Sequence, residues 1–181
     1  MRSALVLALV VLTASQAVKA DPISGDKIGV VLLHGKGGGA KWVYDLGNDL
    51  ESAGALVETP EMPWSKDRIY DKGYEESMSE IDTYVARLKA DGAKRIFIAG
   101  HSLGGNAALG YAARRKGLSG VILLAYGHTP GIKGFDMRMR TTTKEAQDMI
   151  AAGNGEERTH FGDYNGQNDI SVYASAYNLW G

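Results

Sequence analysis

The sequence predicts an α/β fold, in which a doubly wound, mostly parallel sheet lies between two layers of helices. After residue 26, short apolar runs alternate with longer amphipathic stretches, a pattern typical of parallel strands joined by helices. The apolar runs are rich in Val, Ile and Leu without polar alternation, as expected of strands buried on both faces. With 44% hydrophobic and 23% charged residues, the 181-residue chain has the composition of one globular domain.

Four apolar runs are predicted to form the strands of this sheet. They are residues 28–33, 55–59, 95–99 and 121–125. Because none of the four alternates with polar residues, we expect them to be central strands. Right-handed crossovers between parallel strands favour a doubly wound sheet. In such a sheet we expect functional residues at the carboxyl ends of the strands.

The helices are predicted from apolar residues three and four positions apart. The first stripe comprises Trp42, Leu46, Leu50 and Ala53, and the second comprises Met78, Ile81, Val85 and Leu88. A third helix is expected over residues 104–115 and a fourth over residues 143–152. Gly54, Gly92 and Gly117 follow the first three helices, at the position where glycine commonly ends a helix.

The first twenty residues have the layout of a secretory signal peptide. Arg2 precedes an apolar run over residues 4–12, and small side chains follow at Val18 and Ala20. The apolar run is far shorter than the roughly 20 residues that span a bilayer. We therefore predict cleavage after Ala20, one domain over residues 21–181, and a periplasmic or secreted protein without a stable membrane anchor. An uncleaved anchor is the alternative interpretation.

The charge balance argues against a nucleic-acid partner. Twenty Lys and Arg residues oppose 21 Asp and Glu residues, which gives a net charge of −1. A protein that follows a phosphate backbone needs a positive excess, and this chain has none. The chain also contains no cysteine, so its stability must come from the core rather than from disulfides.

The segment GHSLG, residues 100–104, matches the Gly-X-Ser-X-Gly pattern of a nucleophile elbow. It lies between a predicted strand and a predicted helix, which is the context that the motif requires. The sharp turn forces Ser102 into a strained backbone conformation, and crowding admits only glycine two residues before and after it. We expect the Ser102 hydroxyl to stand above the sheet, close to the amides at the start of the helix.

A second glycine-rich segment, HGKGGG at residues 34–39, follows the first predicted strand. Together with IAGHSLGG at residues 98–105, in this order and on these elements, it resembles the α/β-hydrolase superfamily of serine esterases and lipases. The resemblance covers residues 28–127. It implies a Ser102 nucleophile and an oxyanion hole formed by the backbone amides of Lys36 and Leu103. It also implies a small-molecule ester substrate and no cofactor or metal.

Several residues beside these loops are candidates for lining the pocket: His34, Trp64, His101 and His128. His34 is expected to be a structural residue of its loop as well. Trp64 belongs to a long connection over residues 61–70, which either borders the pocket or packs Trp64 on the edge of the domain. His128 stands just past the fourth predicted strand and reads as a pocket or turn residue.

The acid and the base of a catalytic triad are the weak part of the resemblance. The superfamily orders them as serine, acid, histidine, and Asp136 with His160 keeps that order. Neither of them follows a recognisable buried strand, and Asp163 and Asp169 are equally possible acids. The apolar segment at residues 170–180 ends without the expected further strands, so we expect a fold that is incomplete at its C-terminus. The helix at residues 143–152 is either a cap over the pocket or an ordinary surface helix.

Two other interpretations of the whole chain remain open. The chain is a catalytically silent hydrolase-like domain if the triad is absent, and an unpaired sheet edge would then favour self-association. Alternatively, GKGGGA at residues 35–40 fits a dinucleotide-binding fingerprint, with Glu58 as the ribose ligand. That pattern has low specificity in a glycine-rich run, and it leaves the serine motif unexplained.

Overall fold

The computed structural model describes residues 25–127, 133–162 and 169–174. Six strands alternate with four α-helices in these residues. The strands are β1 (Ile28–Leu33), β2 (Leu56–Glu58), β3 (Arg95–His101), β4 (Gly120–Leu124), β5 (Arg158–Gly162) and β6 (Asp169–Tyr173). The helices are α1 (Tyr44–Ser52), α2 (Tyr74–Ala90), α3 (Leu103–Arg114) and α4 (Lys133–Ala151), and a 3-10 turn (Ala40–Val43) precedes α1.

Strands β1 to β4 form one parallel sheet in the order β2-β1-β3-β4. The four predicted strands are therefore confirmed, with ends shifted by one or two residues. The register pairs Leu33 with Gly100 and His101 with Leu124, so that three strands end close together at one edge. The expectation of four central strands is wrong, because β2 and β4 lie at the edges of the described sheet.

Helices cover both faces of the sheet, which confirms the predicted three layers. On one face, Val31, Leu33, Ile96 and Ile98 pack against the inner sides of α2 and α3. All four residues of the second predicted stripe are buried in this core: Met78, Ile81, Val85 and Leu88. On the other face, Val30, Leu32 and Ala99 pack with Val43 of the 3-10 turn and with Leu50 of α1.

The first predicted stripe is wrong in its detail. Trp42 is 59% exposed and Leu46 is 38% exposed, and Gly47 is the buried residue of α1. A methyl group at Gly47 would lie 3.1 Å from the Thr59 side chain, so this helix approaches the sheet edge through its glycine. The periodicity predicts the helix correctly, but close packing at a small residue turns the larger side chains outward.

The later part of the chain contains a hairpin that the sequence pattern did not reveal. Strands β5 and β6 pair antiparallel, and Phe161 and Ala174 join the main core together with Met139 and Ala146 of α4. Helix α4 is longer than predicted and begins at Lys133. Asp169 starts β6, whereas Asp163 and residues 175–180 lie outside the described residues. Whether α4 acts as a cap stays a prediction.

The outer side of β4 is open in the described part of the chain. Ile122 is 42% exposed and Leu123 is 37% exposed, although both belong to a strand of the main sheet. Self-association through this edge stays a prediction. Across residues 25–127, 133–162 and 169–174, no helix is long and apolar enough to cross a membrane. The predicted signal peptide lies outside the described residues.

Candidate active site

Ser102 occupies a sharp turn between the end of β3 and the start of α3. Its backbone has φ 52° and ψ −120°, which is a strained conformation for any residue with a side chain. The side chain is partly exposed, and the next residue, Leu103, opens the helix. The amide of Leu103 therefore stands at the positive end of the α3 dipole. This is the turn that the GHSLG segment predicts.

The glycines around Ser102 are required by close backbone contacts. A methyl group at Gly100 would lie 2.1 Å from the carbonyl oxygen of Gly104. A methyl group at Gly104 would lie 2.5 Å from the carbonyl oxygens of both Leu33 and His34. Contacts this short are impossible without moving the backbone. The motif therefore reflects the absence of space for a side chain at these two glycines, where β1, β3 and α3 come together beside Ser102.

The chain leaving β4 lies directly against the same turn. The Ser102 amide donates to the carbonyl of Leu124 at 3.1 Å, and the Gly127 amide donates to the carbonyl of Ser102 at 3.0 Å. A methyl group at Gly127 would lie 3.5 Å from Ser102 Oγ and 3.4 Å from the Leu103 nitrogen. Gly127 is thus a site residue that the sequence analysis missed. The only signal was a glycine just past the fourth predicted strand.

The glycine-rich loop, residues 34–39, meets the serine turn through Gly35. A methyl group there would lie 3.2 Å from Ser102 Cβ and 3.1 Å from His101 Nδ1. Lys36 follows immediately, and Gly37 turns the chain with φ 65°, which favours glycine. The two segments that the sequence singles out are therefore neighbours in space. The roles of the Lys36 and Leu103 amides stay predictions.

His34 lies beneath the site and does not line a pocket. Its side chain is fully buried. Met62 donates its amide proton to Nε2 at 3.0 Å, so Nδ1 carries the proton and donates to the Gly35 carbonyl at 2.8 Å. Burial lowers the pKa of His34 below 6.5 and outweighs the opposing effects of Gly35 and Glu61. His34 is therefore a neutral structural residue, and its assignment to the pocket is wrong.

Trp64 is also buried, and its assignment to the pocket is wrong for the same reason. Its indole N–H donates to the carbonyl of His34 at 2.8 Å, and the two rings pack 5.9 Å apart. The expectation of a surface tryptophan is corrected as well, because the connection after β2 folds inward under the glycine-rich loop. His101 remains exposed at the end of β3, and His128 lies outside the described residues. Their roles in the pocket stay predictions.

The comparison with family models decides the family. A model described as serine aminopeptidase, S33, matches residues 26–134, which is more than half of the chain. The chain belongs to this α/β-hydrolase family. The match ends just inside α4, so it covers both loops and the whole four-stranded sheet. No curated protein matches the chain.

Solved structures with the same fold are esterases, lipases and related α/β-hydrolases. A carboxyl esterase from Bacillus coagulans is 24% identical with a TM-score of 0.53, over 77% of this chain and 46% of its own. A metagenome-derived lipolytic enzyme, from work on LipS and LipT, is 18% identical with a TM-score of 0.52, over 89% of this chain and 66% of its own. MenH from S. aureus is 22% identical with a TM-score of 0.50, over 75% of this chain and 52% of its own. The chain thus spans between about half and two thirds of these structures.

The candidate acid and base lie on elements apart from the four-stranded sheet. Asp136 is exposed in the first turn of α4, and His160 is exposed in the middle of β5. Neither stands at the carboxyl end of β1, β3 or β4, where Ser102 is. The structure brings together the serine, the glycine-rich loop and Gly127. The assignment of Asp136 and His160 stays a prediction.

Three observations from the described residues bear on metal binding and dinucleotide binding. Within the described part of the chain, no group of three or more His, Asp and Glu side chains is arranged to hold a metal ion. Glu58, the residue that a dinucleotide fingerprint would use, faces Arg87 of α2 with Oε2 3.9 Å from Nη1. The amide of Gly37 is bonded to the carbonyl of Trp64 at 2.9 Å, so it is engaged by the protein itself.

Proposed function

We propose that this α/β-hydrolase is an exported serine hydrolase that cleaves small carboxylic esters through an acyl-enzyme on Ser102. The observation that carries the proposal is the backbone of Ser102, which is held at positive φ among close glycine contacts, since such strain is concentrated at functional sites. The esterase and lipolytic relatives support the choice of substrate class.

The chemistry follows from the position of the serine between two backbone segments. Ser102 Oγ attacks the ester carbonyl carbon, and its proton passes to a base. The carbonyl oxygen becomes an oxyanion that the amides of Lys36 and Leu103 would receive, each worth about 3 kcal/mol to the transition state. The alcohol then leaves with a proton, and water hydrolyses the acyl-enzyme. His160 is the candidate base and Asp136 the candidate acid, and His128, which follows β4 and is otherwise a pocket or turn residue, is compared with His160 in the test below.

The decisive test is covalent labelling of the mature chain with a fluorophosphonate probe. We expect labelling at Ser102 and hydrolysis of short-chain p-nitrophenyl esters, with both lost in Ser102→Ala by at least about 1,000-fold. His160→Ala and His128→Ala, compared side by side, assign the base, since one of them should lower the labelling rate steeply. A folded wild-type chain that neither labels nor hydrolyses esters would contradict the proposal.

A second candidate is a hydrolase-like domain without catalysis, and one observation favours it. Asp136 is exposed in the first turn of α4 and His160 is exposed on the hairpin, so neither stands at the end of a strand of the four-stranded sheet. This candidate expects an intact serine turn with no labelling. Export is tested separately, because N-terminal sequencing of the secreted protein should begin at Asp21.

A further inference from the structure

The glycine-rich loop is held by a segment that lies outside both family motifs. Residues 61–66, here called the clamp segment, run beside the loop between β2 and α2. Gly37 donates to the Trp64 carbonyl at 2.9 Å, and the Lys66 amide donates to the Gly38 carbonyl at 3.0 Å. Both bonds join backbone groups, so they would form with most residue types at these positions. Besides the bonds that join His34 to Met62 and Trp64, one further bond, at the end of the loop far from Ser102, depends on a specific side chain.

That side chain is Glu61. Its Oε2 accepts the amide proton of Ala40 at 2.8 Å, directly after the last glycine of the loop. A methyl group at Gly39 would lie 3.2 Å from both carboxylate oxygens, so the carboxylate rests against the Gly39 backbone. A side chain at Gly39 would therefore force the carboxylate to shift by a few tenths of an ångström. Glu61 therefore holds the far end of the loop whose near end touches Ser102.

The carboxylate is ionised at neutral pH, which strengthens this bond. Burial raises the pKa of Glu61, but the hydrogen bonds from the Ala40 amide and the Ser65 hydroxyl and the charge of Arg68 outweigh burial, so that the pKa ends below its usual value. A hydrogen bond from an amide to an ionised acceptor is roughly twice as strong as a neutral one. The loop end is thus tied by a charge-assisted bond.

Glu61 is itself held in place by α2. Arg68 donates from Nη1 to the Glu61 carbonyl at 2.9 Å, and its guanidinium forms two bonds of 2.7 Å to the carboxylate of Glu80. Asp71 also accepts from Arg68. A chain of bonds therefore runs from a long, well-packed helix through Arg68 and Glu61 to Ala40. Helix α2 therefore holds Glu61 in place through Arg68.

We propose that Glu61 is a positioning residue for the oxyanion hole. By binding the Ala40 amide and bracing Gly39, its carboxylate fixes the glycine-rich loop so that the Lys36 amide faces the carbonyl oxygen above Ser102. The inference rests on the proposed esterase function. Oxyanion donors work because they are oriented before charge develops, and a small displacement weakens them.

The test compares Glu61→Gln and Glu61→Ala with the wild-type mature protein. Gln keeps an acceptor but loses the charge, whereas Ala loses both. We expect kcat for a short p-nitrophenyl ester to fall about 10-fold in Glu61→Gln and up to about 100-fold in Glu61→Ala, with KM changed less than about 2-fold. The fluorophosphonate labelling rate should fall in parallel. Glu58→Gln, which loses only the surface pair with Arg87, is the matched control and should resemble wild type.

A second measurement does not depend on activity. Hydrogen exchange of a peptide covering residues 36–42 should be about 10-fold faster at the Ala40 amide in both Glu61 variants, while peptides from α3 remain unchanged. Unchanged exchange, or faster exchange with unchanged kcat, would overturn the positioning role. If wild type itself fails to label or hydrolyse, the proposed function fails, and the inference fails with it even where exchange has increased. If Glu61→Ala does not fold, Glu61→Gln alone decides the question.

Discussion

Two loops meet at Ser102, and different forces hold them in place. The serine turn is fixed by close steric contacts of its glycines, within the turn between Gly100 and the Gly104 carbonyl and across to the end of β1 from Gly104. The glycine-rich loop is fixed by hydrogen bonds to the clamp segment, including one from Ala40 to Glu61 across 21 residues. The serine turn thus depends on steric exclusion, whereas the loop facing it depends on directed bonds. The glycines that the turn requires stand in one short motif, whereas the bonding partners of the loop lie in a separate segment.

The largest effect is expected from a substitution that disturbs the close glycine contacts of the serine turn. In Gly104→Ala, the new methyl group would meet the carbonyl oxygens of Leu33 and His34 at 2.5 Å, so β1 and α3 must separate. We expect the free energy of unfolding to fall by about 3 kcal/mol, with loss of labelling at Ser102. Urea unfolding of the purified chain measures the change.

The control for this prediction is Gly134→Ala in α4, where a methyl group meets nothing within 4 Å. Alanine is the better helix former, so this variant should gain about 0.5 kcal/mol. Wild-type stability in Gly104→Ala would show that the glycines of the serine turn are not required for steric reasons.

A smaller effect is expected from a substitution that removes one hydrogen bond between the clamp segment and the glycine-rich loop. Trp64→Phe keeps a ring in the core but removes the indole N–H, which leaves the buried His34 carbonyl without this donor. We expect the free energy of unfolding to fall by about 2 kcal/mol, and exchange at the Gly37 amide to increase. Urea unfolding and hydrogen exchange measure both effects.

Trp42→Phe is the matched control, because Trp42 is 59% exposed. The free energy of unfolding of this variant should stay within about 0.5 kcal/mol of the wild-type value, as for most surface substitutions. Equal effects of the two tryptophan substitutions would contradict the view that the clamp segment supports the loop from below.

The same contrast explains what the sequence could predict. The four strands, the α2 stripe and the serine turn follow from periodicity and from a motif with local steric causes. The burial of Trp64 and the role of Glu61 could not be predicted, because they depend on the path of a connection after β2. The hairpin of β5 and β6 was missed for a similar reason: Arg158–Gly162 shows little hydrophobic alternation, and its place is set by Phe161 packing in a distant core.

The smallest effect is a gain in stability from releasing the backbone strain at Ser102. Ser102→Gly removes the side chain that makes φ 52° unfavourable, whereas Ser102→Ala keeps a Cβ and therefore keeps the strain. Both variants lose the serine hydroxyl, but only glycine should stabilise the fold, by about 1 kcal/mol relative to alanine. Glycine also gains freedom in the unfolded chain, which opposes the effect and keeps it small. Thermal unfolding of the two variants side by side measures the difference. An equal midpoint for both would mean that the Ser102 backbone stores no measurable strain.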